Sequence, residues 1–216
     1  DRSRGLGDVY KRQCLACAFA PLVARKPAAL GYDEACTLPV TWSTTHAALE
    51  RARLRAGRSI IVQAAAGGVG LKAIEYAQWL CAACVGTAGR PHKHAELRGR
   101  GVGALCSSRE GAAFAVGAVQ LLAARRALGV LNSLSLDFIA ASFASLGEGG
   151  AFEEIGKRGI WATERHTATT QATSYCAIAL DADMAQDPTW MHGILKLLGS
   201  RADARVLTSL PLRSFD

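Results

Sequence analysis

The sequence predicts an α/β protein built on a doubly wound parallel sheet, and three observations predict it. From residue 59 onward, short apolar runs alternate with amphipathic stretches, the order that places crossover helices between parallel strands. The first apolar run ends in a turn of very small residues, Ala64-Ala65-Ala66-Gly67-Gly68-Val69-Gly70. Of the 216 residues, 50% are hydrophobic and 20% charged, enough apolar side chain for a full core and too much for disorder along the whole length.

Each element follows in order. Residues 1–13 carry glycine and charge without period and read as a non-native or disordered lead-in. Residues 14–50 are Ala-rich and interrupted by Pro21, Pro27 and Pro39; they read as a linker entering a helix over Thr44 to Arg53. Ser59 to Ala64 is a short buried strand. Val69, Ala73, Ile74, Ala77 and Leu80 share a helical face, with Lys72 and Glu75 opposite. Cys84 to Ala88 is the second strand. Pro91 opens a helix where its missing N–H costs nothing, and Gly99 closes it. Val102 to Cys106 is the third strand, Ala112 to Arg126 a helix, and Leu128 to Leu131 the fourth strand. Leu136, Ile139, Ala140, Phe143 and Ala144 fall on one helical face, with Ser135 as N-cap and Gly147 as the stop. Gly150 to Ile155 is the fifth strand. After 156 the rhythm is lost; Ser174 to Leu180 reads as a strand and Met191 to Leu198 as a helix. Residues 51–175 are thus expected to form the doubly wound unit, and 176–216 a closing strand and helix.

Charge and cysteine narrow the function classes. The net charge of +7 concentrates at Arg51, Arg53, Arg55 and Arg58, with no aromatic side chains interleaved for bases to stack on. We expect no nucleic-acid partner. The longest apolar stretch, Ile60 to Val85, is broken by Gln63, Lys72, Glu75 and Gln78, short of the roughly 20 apolar residues of a membrane span. No apolar segment follows the charged start, so neither a membrane partner nor a signal peptide is expected. Seven scattered cysteines fit a reducing compartment, hence a cytoplasmic protein. Cys14/Cys17 and Cys81/Cys84 are each spaced Cys-x-x-Cys. A zinc site or redox pair is one reading, and small buried hydrophobes the other. The histidines show no metal spacing.

A glycine turn between strand and helix lets backbone N–H groups approach a pyrophosphate at the positive helix end, and Ala66, Gly67, Gly68, Val69 and Gly70 are the residues that would do so. Taken alone, the same string also serves as a tight turn without a ligand. An acid selecting NAD is expected about 20 residues past the glycines. That position is Arg90, and Gly86 to His94 contain no acid. Arg90 and Lys93 instead suit a 2′-phosphate, so NADPH is the expected cofactor; the other reading is an exposed basic loop.

Several strings carry a family resemblance. They are Ala35-Cys36-Thr37-Leu38-Pro39-Val40, Gln63 to Gly70, Ser107-Ser108-Arg109, Val130-Leu131-Asn132-Ser133-Leu134, Glu154-Ile155-Gly156-Lys157-Arg158, Ala179-Leu180-Asp181 and Leu210-Pro211-Leu212. From about Ala18 to Asp216 the chain resembles the enoylreductase domain of modular polyketide synthases and animal-type fatty acid synthase, within the medium-chain dehydrogenase/reductase superfamily. The resemblance implies a Rossmann-type sheet with remnants of a GroES-like β-rich subdomain at the ends, since the family domain extends beyond both. It implies hydride transfer from NADPH to an enoyl thioester on an acyl carrier protein, followed by protonation, beside other synthase domains. It assigns Lys157 and Asp181 to catalysis. It places Thr44 near the cofactor phosphates and nicotinamide, Asn132, Ser133 and Leu134 under the nicotinamide, Lys93, Ser108 and Arg109 near the adenosine side, and counts Gly156 among the cofactor-binding residues. Gly159 departs from the family, which usually has Asp there. A free-standing quinone-oxidoreductase-like NADPH reductase and an inactive nucleotide-binding scaffold remain the alternatives.

Overall fold

The computed structural model describes residues 17–122, 126–134, 137–169 and 172–212. Six strands form one sheet: β1 (Ser59–Val62), β2 (Ala83–Ala88), β3 (Ala104–Ser107), β4 (Ala127–Asn132), β5 (Leu146–Glu154) and β6 (Ser174–Ala177). Their spatial order is β3-β2-β1-β4-β5-β6, and every neighbouring pair is parallel. Parallel strands require crossovers, and helices supply them: α3 (Gly68–Trp79), α4 (Pro91–Gly99), α5 (Gly111–Leu121), α6 (Asp137–Ala144) and α7 (Thr163–Thr169). Before β1 come α1 (Tyr32–Ala35) and α2 (Pro39–Arg51); after β6 come α8 (Leu180–Gln186) and α9 (Pro188–Asp203). This is the doubly wound, Rossmann-type arrangement that the alternation predicts.

The period-2 side-chain geometry of a strand divides the apolar residues between two layers. Ile60 and Val62 pack with Trp42 and Leu49 of α2, Ile74 and Ala77 of α3, and Ile194 and Leu198 of α9. Ile61 points the other way, to Phe114 and Ala118 of α5 and Ile139 and Phe143 of α6. The end segments, expected to hold remnants of a β-rich subdomain, consist of helices and loops before β1 and after β6 among the described residues, with a 3₁₀ turn at Ala20–Leu22.

Several boundaries differ from expectation for physical reasons. Helix α2 starts at Pro39 rather than Thr44, because proline takes the first turn, where its N–H is not needed. Strand β6 stops at Ala177, and the chain turns into α8, which encloses Asp181. Helix α7 has no apolar period to announce it; Arg165 lies 4.3 Å from the Trp161 ring centroid and His166 stacks on Tyr175 at 5.6 Å. Lys72, read as solvent-facing, is 2% exposed, because the C-terminal segment folds over it. Its ammonium pairs with Glu75 at 2.7 Å and donates to the Thr208 carbonyl at 2.6 Å. Residues 1–13, Cys14 and Ser135 lie outside the described residues.

Candidate cofactor site

Strand order reverses between β1 and β4, and an open α/β sheet has its crevice at the carboxyl ends of such strands. The small-residue turn follows β1 there. Ala64 takes the left-handed conformation, with φ of 48°. A Cβ on Gly70 would lie 2.6 Å from the Ala65 carbonyl oxygen and 2.7 Å from that of Ala64, so this position admits only glycine without a backbone shift. Gly67 is the N-cap of α3 and supplies no side-chain cap, which leaves first-turn N–H groups for an anion. Ala66 and Val69 are half-buried beside it.

Two residues that sequence reasoning missed hold this turn. Thr87 of β2 accepts a bond from the Ala64 N–H at 3.0 Å and donates to Gln63 Oε1 at 2.8 Å. Gln63 Nε2 in turn donates to Ser142 Oγ at 2.8 Å. The available signal is a glutamine closing an apolar strand: buried polar groups need partners, and its partners lie on other elements.

Across the crevice, Ser133 Oγ donates to the Gln63 carbonyl at 3.3 Å. Asn132 is fully buried; its Nδ2 donates to the Leu134 carbonyl at 2.7 Å and to Glu154 Oε2 at 2.6 Å, while its Oδ1 has no partner. Gly156 N–H donates to Glu154 Oε1 at 2.6 Å. Thr44 is buried on α2, and the next residue, Thr45, donates to the Val69 carbonyl at 3.2 Å, tying α2 to the start of α3.

On the β2 side a cavity of about 310 Å³ is lined by Ala88, Gly89, Arg90, Pro91, His94, Arg98 and Ser107, with no carboxylate among them. Arg98 is a second basic group there that sequence reasoning missed. Lys93 is exposed on α4 and is not on this lining. Arg109 Nε donates to the Gly89 carbonyl at 3.3 Å, and the Ser108 N–H to the Ala88 carbonyl at 3.3 Å, bringing the β3 end against the β2 end. A larger cavity of about 390 Å³, lined by Arg51, Arg53, Arg55 and Arg58, sits at the opposite, amino-terminal ends of the strands.

Lys157 follows β5 and Asp181 opens α8 just past β6, so the two stand beyond the ends of neighbouring strands. Both are exposed, and they form no ion pair with each other; the ion pairs among the described residues are Arg51–Asp183, Lys72–Glu75 and Arg100–Glu96. The buried acids nearby are Glu153 and Glu154, 2% and 1% exposed. Burial pushes the Glu154 carboxyl up to about 7 against the bonds from Asn132 and Gly156 that favour its charge. Burial likewise raises Glu153 to about 7, against Arg51 and Cys176. Burial raises the Cys84 thiol to about 12, which suits a small hydrophobe rather than a reactive pair with Cys81. Among the described residues no group of three or more His, Cys, Asp or Glu is placed to hold a metal, and no helix is long and apolar enough to cross a membrane.

No protein-family profile matches the chain. Among curated proteins it is 35% identical over 210 residues to the spectinabilin polyketide synthase system protein NorB of Streptomyces orinoci, covering 94% of this chain and 9% of that protein. The chain therefore spans a small part of the curated relatives it matches. The crystal structure of CurK enoyl reductase superposes with a TM-score of 0.86 at 32% identity, over 92% of this chain and 59% of that one. The nucleotide-binding subdomain of the enoylreductase domain of PpsC from Mycobacterium tuberculosis matches over 80% of this chain and 97% of that one, with a TM-score of 0.71 at 26% identity. Sheet order, switch-point turn and these likenesses agree: the chain belongs to the enoyl reductase-like domains of polyketide synthases, and corresponds to their nucleotide-binding part.

Proposed function

We propose that this chain is the NADPH-binding part of an enoyl reductase that reduces the α,β double bond of a thioester carried on an acyl carrier protein, within a multidomain synthase. The observation that carries the reading is the crevice itself. An uncapped helix start at Gly67-Gly68-Val69-Gly70 faces the loop after β4, and an acid-free cavity holding Arg90 lies at the next strand end. When bound there, NADPH would supply the hydride for the β-carbon.

The remaining roles belong to the chain. First-turn N–H groups of α3 hold the pyrophosphate. Arg90 and Arg98, with Lys93 nearby, neutralise the 2′-phosphate, and Ser108 and Arg109 border the adenosine. Thr44, the Asn132–Leu134 loop and Gly156 border the nicotinamide. The Lys157 ammonium stabilises the negative charge that develops on the thioester oxygen and gives a proton to the α-carbon, and Asp181 orients that ammonium. Residues 51–175 form the cofactor unit in this reading, with 14–50 a partial substrate-domain linker and helix and 176–216 a C-terminal strand and helix segment. Unpaired cysteines fit a cytoplasmic setting.

Titration of the folded chain with NADPH and NADH, followed by nucleotide fluorescence, tests the reading. Saturable NADPH binding at least tenfold tighter than NADH is expected, with the preference lost in Arg90→Ala. Absence of saturable NADPH binding by a chain with native circular dichroism overturns it. For Lys157, the Ala variant of a complete reductase is expected to lose about 100-fold in thioester reduction while keeping its NADPH affinity. An unchanged rate removes that role.

A further inference from the structure

Strand β5 ends in two buried acids, Glu153 and Glu154, directly after buried Ala151 and Phe152. A carboxylate buried this deeply is costly unless hydrogen bonds offset the loss of water. Glu154 receives two short bonds, one from the last residue of β4 and one from the loop after β5. The first donor is Asn132 Nδ2; the second is the Gly156 N–H, just before Lys157. The same Asn132 amide also bonds the Leu134 carbonyl and curls the β4 loop. Ser133, in that loop, reaches back to the Gln63 carbonyl at the glycine turn. Gly156 is fitted to this arrangement: a Cβ there would lie 2.6 Å from Glu154 Oε1, so a larger residue would push the loop off the carboxylate.

We propose that Glu154 is a positioning residue: its buried carboxylate fastens the Asn132–Leu134 loop to the Gly156–Lys157 loop and so sets the nicotinamide end of the crevice. This rests on the NADPH reading above and adds to it the group that fixes two of its loops. Glu154 touches neither adenosine nor phosphates in this assignment. Its loss is expected at one end of the ligand, because the glycine turn is also held from β2, by Thr87.

Isothermal titration separates the two ends. The probes are NADPH and adenosine 2′,5′-bisphosphate, which carries the adenosine end and its extra phosphate but no nicotinamide. The proteins are the native chain, Glu154→Gln and Glu154→Leu, each checked for folding by circular dichroism and thermal unfolding. Glu154→Gln keeps the shape but can accept at only one of its two ends; Glu154→Leu accepts at neither. The expected result is a graded loss of NADPH affinity, about fivefold for Gln and tenfold or more for Leu, with bisphosphate affinity unchanged within twofold. Parallel weakening of both probes, or no change in either, overturns the positioning role while leaving the cofactor reading intact. A Glu154→Gln chain that no longer folds assigns the carboxyl to stability and also overturns it. If the native chain binds neither probe, the cofactor reading fails and this inference with it.

Discussion

Gly70 is the residue on which the crevice depends most directly. Two carbonyl oxygens, of Ala64 and Ala65, occupy the space a Cβ would take, and both belong to the backbone, so neither can swing aside. Gly70→Ala is expected to cost about 1–3 kcal/mol, the range for overpacking at a tight site, read as a lower denaturation midpoint in urea. NADPH affinity is expected to fall at least tenfold in the same variant, since the N–H groups of Gly68 and Val69 move with the turn. Native affinity in the alanine variant would mean that the turn does not seat the pyrophosphate. Gly67 behaves differently. It is exposed, and its nearest neighbour to an added Cβ is the Ala64 carbonyl at 3.2 Å, so Gly67→Ala is the milder change.

At the scale of elements, the C-terminal segment acts as a strap across α3. Glu75 Oε1 accepts from the Thr208 N–H at 2.9 Å and its hydroxyl at 2.6 Å, while Oε2 pairs with buried Lys72. Leu210 N–H bonds Thr37 Oγ1, and its side chain lies 3.0 Å from where a Cβ on Gly68 would be. Glu75→Ala leaves the buried Lys72 ammonium without its counter-charge and is expected to cost about 2–3 kcal/mol, with limited proteolysis accelerated between residues 204 and 212. An unchanged cleavage pattern would show that the strap is held by its apolar contacts instead. The strap also marks how far the sequence can be read. Helix α4 was legible to the residue, because proline at its start and glycine at its end are local signals. Strands β1 and β2 and helix α3 were legible as apolar runs around small residues. Helices α7 and α8 were not: Thr163–Thr169 is polar and held by rings from other elements, and Leu180–Gln186 follows directly on a strand-like run. Lys72 carried no local sign that residues more than 130 positions away would bury it. Around the crevice, the places of Gly67 to Gly70 after β1 and of Arg90 after β2 were legible by type and spacing, while their part in holding a cofactor is the proposal above. Gln63, Thr87, Arg98 and Glu154 were not, since their parts depend on partners across the sheet.

At the scale of the whole molecule, burial of Glu153 and Glu154 predicts a pH dependence of stability. Glu153 and Glu154 have folded values near 7, raised from an ordinary 4.5, so between those values the folded state binds more protons than the unfolded one. Stability is therefore expected to decline as pH rises through this window. His46 opposes this below its ordinary 6.5, because burial lowers its value and the unfolded state then takes up the proton. With two carboxyls against one imidazole, the midpoint of thermal unfolding is expected to fall between pH 5 and pH 8. Replacing both glutamates with glutamine is expected to flatten the decline. A midpoint that rises over the same range would contradict the burial of both acids. Uniform strand direction has a consequence of another kind. Because all six strands run the same way, the segments that leave them gather along a single rim, and the two apolar layers lie behind it. Exchanging or lengthening those rim segments changes what is gripped without repacking the interior, so ligand preference in such a protein can be retuned almost independently of its folding.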